Sequence, residues 1–445
     1  MPRLEVHLYE THIGDLVGES WRDFDFVATG AALDRFGVGS TVLSESVPLV
    51  PRQPRGKAAR RRVFFDELLP EGAARQRLAD RARVTTTDTL GLLAAYGRDV
   101  AGAVQIIDQT SAGSTDAPRT RPLSTSGVID LLDDVAAFPL GNAPTSGKAS
   151  LAGVQEKVLL ARVDEGWAQC LYGYPSTHIL KPVSRPHPDM IFNEEYASRL
   201  ARALGLAPYA TWIETFEATD ALVIERYDRA HSMPGRRIHQ EDFNQALGAS
   251  GAQKYQEHGG RASLGRVASV VAAVQGREGL EQLLALLTLA IAIGNLDMHA
   301  KNISLIHPPD GSARLAPAYD MVPLIHYPGI DGRMAMAIND VYEHSRIRRQ
   351  DIVAESLRWG MSDGRAEEVV EETLTIIRTA IVHEEPHARA APGLRDMIES
   401  TVVRLRSRDS SSSVDWSSSL APSRAADGAT TEAVRGLSSL PSEGE

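Results

Sequence analysis

The hydrophobic pattern of the chain changes from short alternating stretches near its beginning to long apolar runs beyond its middle. Residues 4–8 alternate between apolar and polar side chains, which predicts a half-buried strand. Residues 280–293 form a strongly apolar helical run that is apolar on nearly all faces by residues 286–293, which predicts the central helix of an all-α lobe. Residues 303–306 predict a short strand, so the polar stretch 294–302 lies where a core helix gives way to a loop.

This pattern and the local composition divide the chain into five predicted segments. The first is a small unit of helices and strands, the second a linker or long surface loop rich in Ser, Thr, Gly and Pro, the third a strand-rich lobe and the fourth a helical lobe. The fifth is Ser-rich with few apolar residues to offset the entropy of ordering, which predicts a disordered tail. Their predicted bounds are 1–108, 109–127, 128–230, 231–407 and 408–445.

Polar residues in two of these segments are interpreted as facing solvent. In the first segment nothing has a catalytic pattern, and Asp66 and Glu67 are interpreted as solvated charges. Residues 249–265 are polar and rich in Gly and Ala, which indicates a mobile surface segment. The helical pattern near the end of the fourth segment gives core candidates, namely Leu357, Val369, Val370, Leu374, Ile376 and Ile377.

Composition and charge narrow the class of protein. The chain is 43% hydrophobic and 24% charged, as in ordinary globular proteins, and its net charge of −11 argues against non-specific nucleic-acid binding by the whole surface. A single cysteine, Cys170, excludes an internal disulfide and a zinc cluster. The beginning of the chain lacks a signal-peptide pattern, and the apolar stretch 283–293 is about half the roughly 20 residues of a membrane span. A cytoplasmic protein without a membrane partner is therefore expected.

The polar stretch 294–302 concentrates groups that a core rarely holds without a functional reason, because each buried polar group needs a partner. Asp297 and Asn302 are five residues apart, the spacing of the Asp and Asn in a kinase catalytic loop, and His299 and Lys301 lie between them. Asp320 follows eighteen residues later, at the end of an apolar run. One acid to position a hydroxyl, and an amide with a second acid to hold metal, predict phosphoryl transfer.

Three further stretches have the pattern of a nucleotide site. The small-residue turn 152–157 before a strand lets backbone N–H groups approach phosphates, although an ordinary hairpin loop has the same pattern. Lys181 ends a strand, and Glu194, on a helix predicted to begin at the N-cap Asn193, either pairs with Lys181 or complements the helix N-terminus. The apolar strand 221–224 runs abruptly into charge, as in a crossing between two lobes or in a solvated strand end.

Taken together, these segments resemble the HipA family of serine/threonine kinases, the toxins of bacterial toxin–antitoxin pairs. The matching residues are Ser150-x-x-Gly153-x-Gln155-x-Lys157, Ile179-Leu180-Lys181-Pro182, Asn193-Glu194, Glu225-Arg226-Tyr227-Asp228-Arg229, Gln240-Glu241-Asp242, Gly294-Asn295-x-Asp297-x-His299-Ala300-Lys301-Asn302 and Tyr319-Asp320. The resemblance implies an α+β, two-lobed protein-kinase-like fold, with an N-terminal α/β subdomain at 1–108 and an all-α C-terminal lobe. It also implies ATP and Mg²⁺ as cofactors and a helix-turn-helix, HipB-like antitoxin that binds operator DNA. The expected substrate is a seryl group on a protein such as an aminoacyl-tRNA synthetase.

The resemblance also implies a role for individual residues. Asp297 is the expected catalytic acid–base group, Asn302 and Asp320 the metal ligands, and Ser150 a site of autophosphorylation. Glu194 is the candidate for a structural ion pair. The expected ATP-binding residues are Ala152, Gly153, Val154, Gln155, Glu156, Lys157, Lys181, Glu225, Arg226, Tyr227, His299, Ala300, Lys301, Asn302, Tyr319 and Asp320.

Three other functions fit parts of the pattern. Asp297, His299 and Asp320 resemble a metal-hydrolase site, but no third ligand cluster stands out and Lys301 would repel the cation. A catalytically weak kinase fold acting as co-repressor with a DNA-binding antitoxin is a second alternative. A small-molecule or lipid kinase of similar fold is the third.

Overall fold

The computed structural model describes residues 3–407 except 19, 21, 111–115, 144–145, 154 and 258. The predicted tail 408–445 and the predicted nucleotide contact Val154 lie outside the described residues. Within the described part, no helix is both long and apolar enough to cross a membrane.

The N-terminal domain is a four-stranded antiparallel sheet, in the order β3-β2-β1-β4, covered by four helices. In β1, Leu4, Val6 and Leu8 are buried and the residues between them are more exposed, which confirms the alternation predicted for residues 4–8. The elements are β1 Arg3–Leu8, β2 Thr11–Val17, β3 Asp25–Ala28, α1 Gly30–Phe36, α2 Ala58–Asp66, α3 Gly72–Ala82, α4 Thr89–Tyr96 and β4 Gln105–Asp108.

The second lobe is a six-stranded antiparallel sheet in the order β5-β7-β6-β8-β10-β9. Its elements are β5 Arg119–Pro122, α5 Thr125–Asp133, β6 Val158–Val163, β7 Gly166–Leu171, β8 His178–Pro182, α6 Met190–Ala203, β9 Thr211–Phe216 and β10 Thr219–Glu225. The prediction of a linker at 109–127 was therefore wrong for residues 119–127, which contain β5 and the start of α5. Strand β5 is an exposed edge strand without an apolar pattern, so its composition alone resembles a loop.

The C-terminal lobe is built around α8, which breaks at Gly276, where φ is 66°. The predicted apolar helix 280–293 is the second part of α8. The elements are β11 His239–Asp242, α7 Phe243–Leu247, α8 Leu264–Ile293, β12 Ser304–His307, β13 Arg314–Leu315, β14 Arg333–Ile338, β15 Val341–Glu343, α9 Arg349–Arg358, α10 Asp363–His383 and α11 Leu394–Arg406.

Two small sheets correct the expectation that the C-terminal lobe is exclusively helical. One has the order β11-β12-β13 and the other pairs β14 with β15. Strand β12 overlaps the strand predicted at 303–306. Its partner β11 has four residues and lies far from it in sequence, and its partner β13 has two residues. Such short strands carry too little periodicity to be recognised before their partner is known.

The last three helices bury most of the predicted core residues. Val370, Leu374 and Ile377 are fully buried along one face of α10, whereas Ile376 is 39% exposed. Leu357 in α9 is 41% exposed, so these two core predictions were wrong. Each residue turns a helix by about 100°, so a neighbour of a buried residue can face solvent.

The N-terminal domain packs against the first small sheet of the C-terminal lobe. Tyr9 Oη donates a hydrogen bond to the carbonyl of His307 in β12 and accepts one from the backbone N–H of His239 in β11. Ser44 Oγ donates to Glu241 Oε2 at 2.6 Å. These buried polar contacts hold the domain beside the cleft between the other two lobes.

Candidate active site

The polar stretch 294–302 follows α8 and begins with Gly294, where any other residue would be strained. Gly294 has φ 71° and caps the helix by donating its N–H to the carbonyls of Ala290 and Ile291. A Cβ at this position would lie 2.1 Å from Ile325 Cγ2. The left-handed turn therefore brings the chain sharply out of the core helix and into the cleft.

Asp297 is fixed through its backbone and enclosed at its carboxylate. Its N–H donates to Asn295 Oδ1 at 3.1 Å, and its carbonyl accepts from Asn302 Nδ2 at 2.8 Å. The carboxylate Oδ1 lies 3.4 Å from the Tyr255 hydroxyl and 3.7 Å from His299 Nε2. Burial raises the pKa of the Asp297 carboxyl to about 8.

Lys181 lies between two carboxylates from different lobes. Its Nζ is 2.6 Å from Glu194 Oε1 in α6 and 2.7 Å from Asp320 Oδ1 in the C-terminal lobe. Burial opposes the charged ammonium, but Asp320 and Glu194 outweigh it and raise the pKa of Lys181 above its usual value. Glu194 is therefore in an ion pair and not at the helix start, because α6 begins at Met190 with Asp189 as its N-cap.

Asn193 was wrongly expected to be the N-cap of that helix. It is fully buried inside α6, where Nδ2 donates to the Tyr327 hydroxyl at 2.7 Å and Oδ1 accepts from the backbone N–H of Ala391 at 2.8 Å. Its side chain thus fixes the helix that carries Glu194 against the C-terminal lobe.

The residues expected to hold magnesium offer oxygen atoms, which this cation prefers. Asn302 uses Nδ2 to bond Asp297, and no hydrogen bond among the described residues uses its Oδ1. Asp320 has a side chain 38% exposed towards the cleft. No cluster of three or more His, Cys, Asp or Glu side chains arranged for a metal occurs in the described part of the chain. Kinase-type magnesium sites complete their coordination with substrate phosphates and water, so an amide and a carboxylate fit.

The small-residue turn contains a glycine with a positive φ and a lysine that folds back onto the turn. Gly153 has φ 110°, and a Cβ there would lie 2.7 Å from Lys157 Nζ. Lys157 folds back to donate to the carbonyl of Ala152 at 2.8 Å, and burial together with Lys181 lowers its pKa to about 8. Glu156 points away from the cleft and pairs with Arg77 at 3.0 Å.

Ser150, the expected phosphorylation site, is fully buried. Its Oγ donates to the carbonyl of Leu68 in the N-terminal domain at 3.1 Å, and its N–H donates to the carbonyl of Asp99. The hydroxyl does not line the cleft in this conformation.

The stretch after β10 contributes an aromatic wall and a buried ionic cluster. The ring of Tyr227 lies between those of Tyr209 and Tyr319, with centroid distances of 5.8 and 6.0 Å. Arg226 is buried and bonds Asp228 through two nitrogens, so its charge is already matched. Of the expected nucleotide residues in the described part, all but Glu156 and the buried Ala300 line one cleft.

Sequence reasoning missed three charged residues at this site. Lys301 Nζ lies 2.5 Å from Glu67 Oε2 and 2.6 Å from Glu71 Oε1, both in the N-terminal domain. Glu71 also pairs with Lys254 at 3.1 Å, in the segment 249–265 that was expected to be mobile. Glu67 is 7% exposed, so its interpretation as a solvated charge was wrong. The available signal was a group of acids, Asp66, Glu67 and Glu71, among the apolar residues of the stretch 64–71.

His299 is a neutral group at the floor of the cleft. It is 5% exposed, and burial, followed by the charge of Lys254, lowers its pKa to about 3. Its ring packs edge-on against Tyr255, with centroids 5.3 Å apart. Nδ1 is buried and has no hydrogen-bond partner within the described part of the chain.

A cleft between a sheet-based lobe and a largely helical lobe, with a paired lysine and a catalytic-loop Asp and Asn, defines a protein-kinase-like phosphotransferase. Comparison with known sequences agrees: residues 4–107 match the HipA N-terminal domain and residues 149–381 the HipA-like C-terminal domain. The chain belongs to the HipA family.

Individual relatives support kinase activity. The chain is 33% identical over 335 residues to the putative kinase Y4mE of Sinorhizobium fredii, covering 73% of this chain and 78% of that protein. It is 30% identical over 373 residues to the serine/threonine-protein kinase toxin HipA of Shewanella oneidensis, covering 79% and 82%. The solved structure of Shewanella HipA, in a complex with HipB and its operator DNA, superposes with a TM-score of 0.73 at 26% identity, over 90% of this chain and 95% of that one.

Proposed function

We propose that this chain is an ATP-dependent serine/threonine protein kinase that acts as the toxin of a type II toxin–antitoxin module. The observation that carries the proposal is the joint position of five groups in one cleft. Lys181 is paired with Glu194 and Asp320, and Asp297 and Asn302 are joined on the catalytic loop. These are the groups that kinases use to hold the phosphates, the metal and the acceptor hydroxyl.

Catalysis of phosphoryl transfer rests on positioning and electrostatics. Asp297, fixed through its backbone by Asn295 and Asn302, would orient the acceptor hydroxyl and take up its proton. Lys181 would neutralise the phosphates of ATP. Mg²⁺ bound by Asn302 and Asp320 would supply charge neutralisation at the transferred group.

The walls of the cleft suit the rest of the nucleotide. Tyr227, packed between two other tyrosines, offers an aromatic face to the adenine, and Glu225 at the end of β10 lies beside it. The turn from Ala152 to Lys157 would cover the phosphates with its backbone. His299, neutral and with a free ring nitrogen, suits the phosphate side.

The partner and substrate follow from the family. A HipB-like helix-turn-helix antitoxin that binds operator DNA is the proposed partner, supported by the Shewanella HipA structure solved with HipB and operator DNA. The proposed substrate is a seryl group of a cytoplasmic translation protein, such as an aminoacyl-tRNA synthetase, whose modification would stop growth.

Autophosphorylation at Ser150 is the proposed self-limiting step. Because Ser150 Oγ is buried against the carbonyl of Leu68, modification requires the loop around it to leave the N-terminal domain. A phosphoserine carries about −1.5 to −2 charges, which could not return to that apolar position unpaired. The phosphorylated loop would then no longer cover ATP.

Purified full-length chain, incubated with Mg-ATP and either a generic protein acceptor or lipid vesicles, tests this function. Phosphate transferred to seryl or threonyl groups supports the protein kinase. Transfer to lipid only, or no ATP turnover by a folded chain, would instead favour the lipid kinase or the co-repressor.

A further inference from the structure

The N-terminal domain sends one short segment, residues 64–71, into the catalytic site. Four apolar side chains of this segment are buried in the domain's own core, with at most 1% exposure, namely Phe64, Phe65, Leu68 and Leu69. They anchor the segment so that the carboxylates of Glu67 and Glu71 leave the domain and meet Lys301 of the catalytic loop.

Lys301 links two domains in this structure through its ion pairs with Glu67 and Glu71. Its side chain is 6% exposed, and an ammonium buried to this degree without partners would cost several kcal/mol. With both carboxylates within 2.6 Å of Nζ, its charge is matched before any phosphate arrives.

The ion pairs of Lys301 also restrain the neighbouring residues of the loop. The Lys301 carbonyl accepts a hydrogen bond from the Tyr319 hydroxyl at 2.7 Å, so the residue is held at both its backbone and its side chain. Its neighbour Asn302 is bonded to the Asp297 carbonyl. Displacing Lys301 would therefore shift the Asp297 backbone.

A second series of contacts leads from Glu71 to the carboxylate of Asp297. Glu71 pairs with Lys254, whose side chain is 9% exposed, and the next residue, Tyr255, places its hydroxyl 3.4 Å from Asp297 Oδ1. Glu71 therefore contacts both Lys301 and Lys254. Its pKa is lowered to about 2: burial opposes this, and the charges of Lys301 and Lys254 outweigh it, so it is ionised at physiological pH.

We propose that Glu67 and Glu71 are positioning residues for phosphoryl transfer, and that the N-terminal domain is thereby a required part of the catalytic site. The inference rests on the proposed kinase function. It predicts that kcat depends on two carboxylates that act through Lys301 and Lys254.

The test compares Glu67→Gln, Glu71→Gln and the double variant in the full-length chain. Turnover is normalised by the calorimetric stoichiometry of Mg-ATP binding, so that unfolded molecules do not lower the apparent kcat. The double variant should lose about 10²-fold in kcat, the cost of a catalytic group misplaced by about 1 Å. Its KM for ATP should stay within about threefold, because the nucleotide contacts are intact. Glu71→Asp, which keeps the charge, should recover more turnover than Glu71→Gln.

Ser44→Ala is the matched control. It removes a buried hydrogen bond between the same two domains, Ser44 to Glu241, that lies away from the cleft. It should lower the melting temperature and leave the normalised kcat unchanged.

A folded double variant with near-normal kcat would overturn the proposal. If the double variant does not fold, the single Glu71→Gln variant decides, and an unchanged kcat there has the same meaning. Asp297→Asn, measured in parallel, separates this failure from failure of the proposed function. Turnover that survives Asp297→Asn contradicts the kinase mechanism, whereas turnover lost there and kept in the glutamate variants contradicts the positioning role alone.

Discussion

Lys181 Nζ lies 2.7 Å from Asp320 Oδ1, and this contact joins the strand-rich lobe to the C-terminal lobe across the cleft. Lys181 belongs to β8, whereas Asp320 directly follows the apolar run 315–319. The backbone of Asp320 is left-handed, with φ 55°. In the proposed kinase both groups turn to the nucleotide, the lysine to phosphate and the carboxylate to magnesium. Asp320 therefore links metal binding to the relative position of the lobes.

Asp320→Ala should weaken binding of Mg-ATP more than it weakens the fold. The variant loses the carboxylate proposed to bind magnesium, while Lys181 keeps Glu194 as its partner. We expect an increase in Kd of at least about tenfold, or about 1.4 kcal/mol, by calorimetry. Asp310→Ala, at an exposed acid that accepts hydrogen bonds from Ser312, is the control. Unchanged affinity in the Asp320 variant would remove it from the metal site.

Gly294→Ala should be strongly destabilising, because a left-handed backbone and a clash with Ile325 act together. The expected loss in free energy of unfolding is roughly 2–5 kcal/mol, measured by urea denaturation. Gly205→Ala is a matched control, since Gly205 has φ 70° but open space at the Cβ position. Its cost should be about 1–2 kcal/mol, from the backbone alone. Equal losses in the two variants would show that the contact with Ile325 is unimportant.

Asp228→Asn should destabilise the junction between the N-terminal domain and β10. The Asp228 carboxylate is 2.8 Å from Arg226 Nη2 and 2.9 Å from Arg229 Nη1, and it accepts the backbone N–H of Gly102 at 2.7 Å. Removing one charge from such a buried cluster costs about 3–5 kcal/mol. Asp340→Asn, at an exposed pair with Arg358, should leave the unfolding midpoint unchanged.

The same residue gives a pH dependence of stability. Burial opposes ionisation of Asp228, but the two arginines outweigh it and lower its pKa below the usual value. Its stabilisation is thus fully present above the unfolded pKa of about 3.9 and is lost as pH falls towards the folded value. The difference in unfolding free energy between wild type and Asp228→Asn should shrink between about pH 5 and pH 3. A constant difference would contradict the assignment.

Ser150 should acquire phosphate when the intact chain is incubated with Mg-ATP. Mass spectrometry of the peptide containing Ser150 measures this, with Ser150→Ala as control. Because the hydroxyl is buried against Leu68, the modified chain should lose the loop's packing and bind ATP more weakly. An active wild-type chain with no phosphate on that peptide would contradict the proposed self-limitation.

Local sequence predicted the parts of the site that are close together in the chain. The helix 280–293, the polar loop with Asp297 and Asn302, and the strand at 303–306 follow one another, so periodicity and spacing were sufficient. The ion pair of Lys181 with Glu194 also joins neighbouring elements, β8 and α6. The start of α6 was misjudged because Asn193, a good N-cap by type, is used for tertiary hydrogen bonds.

The rest depends on contacts that no local pattern contains. Glu67 and Lys301 are 234 residues apart in the chain. The residues around Glu67 would show the same local pattern whether its side chain faced solvent or a buried lysine. Lys254 lies in a polar, glycine-rich segment, and its contact with Glu71 joins residues that are 183 positions apart in the chain. Strand β5 was missed for a related reason, because its edge position imposes no apolar periodicity.

The most direct test of the kinase mechanism is the turnover of Asp297→Asn. The substitution keeps the size of the side chain and the backbone bonds to Asn295 and Asn302, so fold and Mg-ATP affinity should be nearly unchanged. Phosphoryl transfer should fall by about 10²–10⁴-fold, equivalent to roughly 3–5 kcal/mol of barrier. Near-normal phosphate transfer by a folded Asp297→Asn chain would contradict the account.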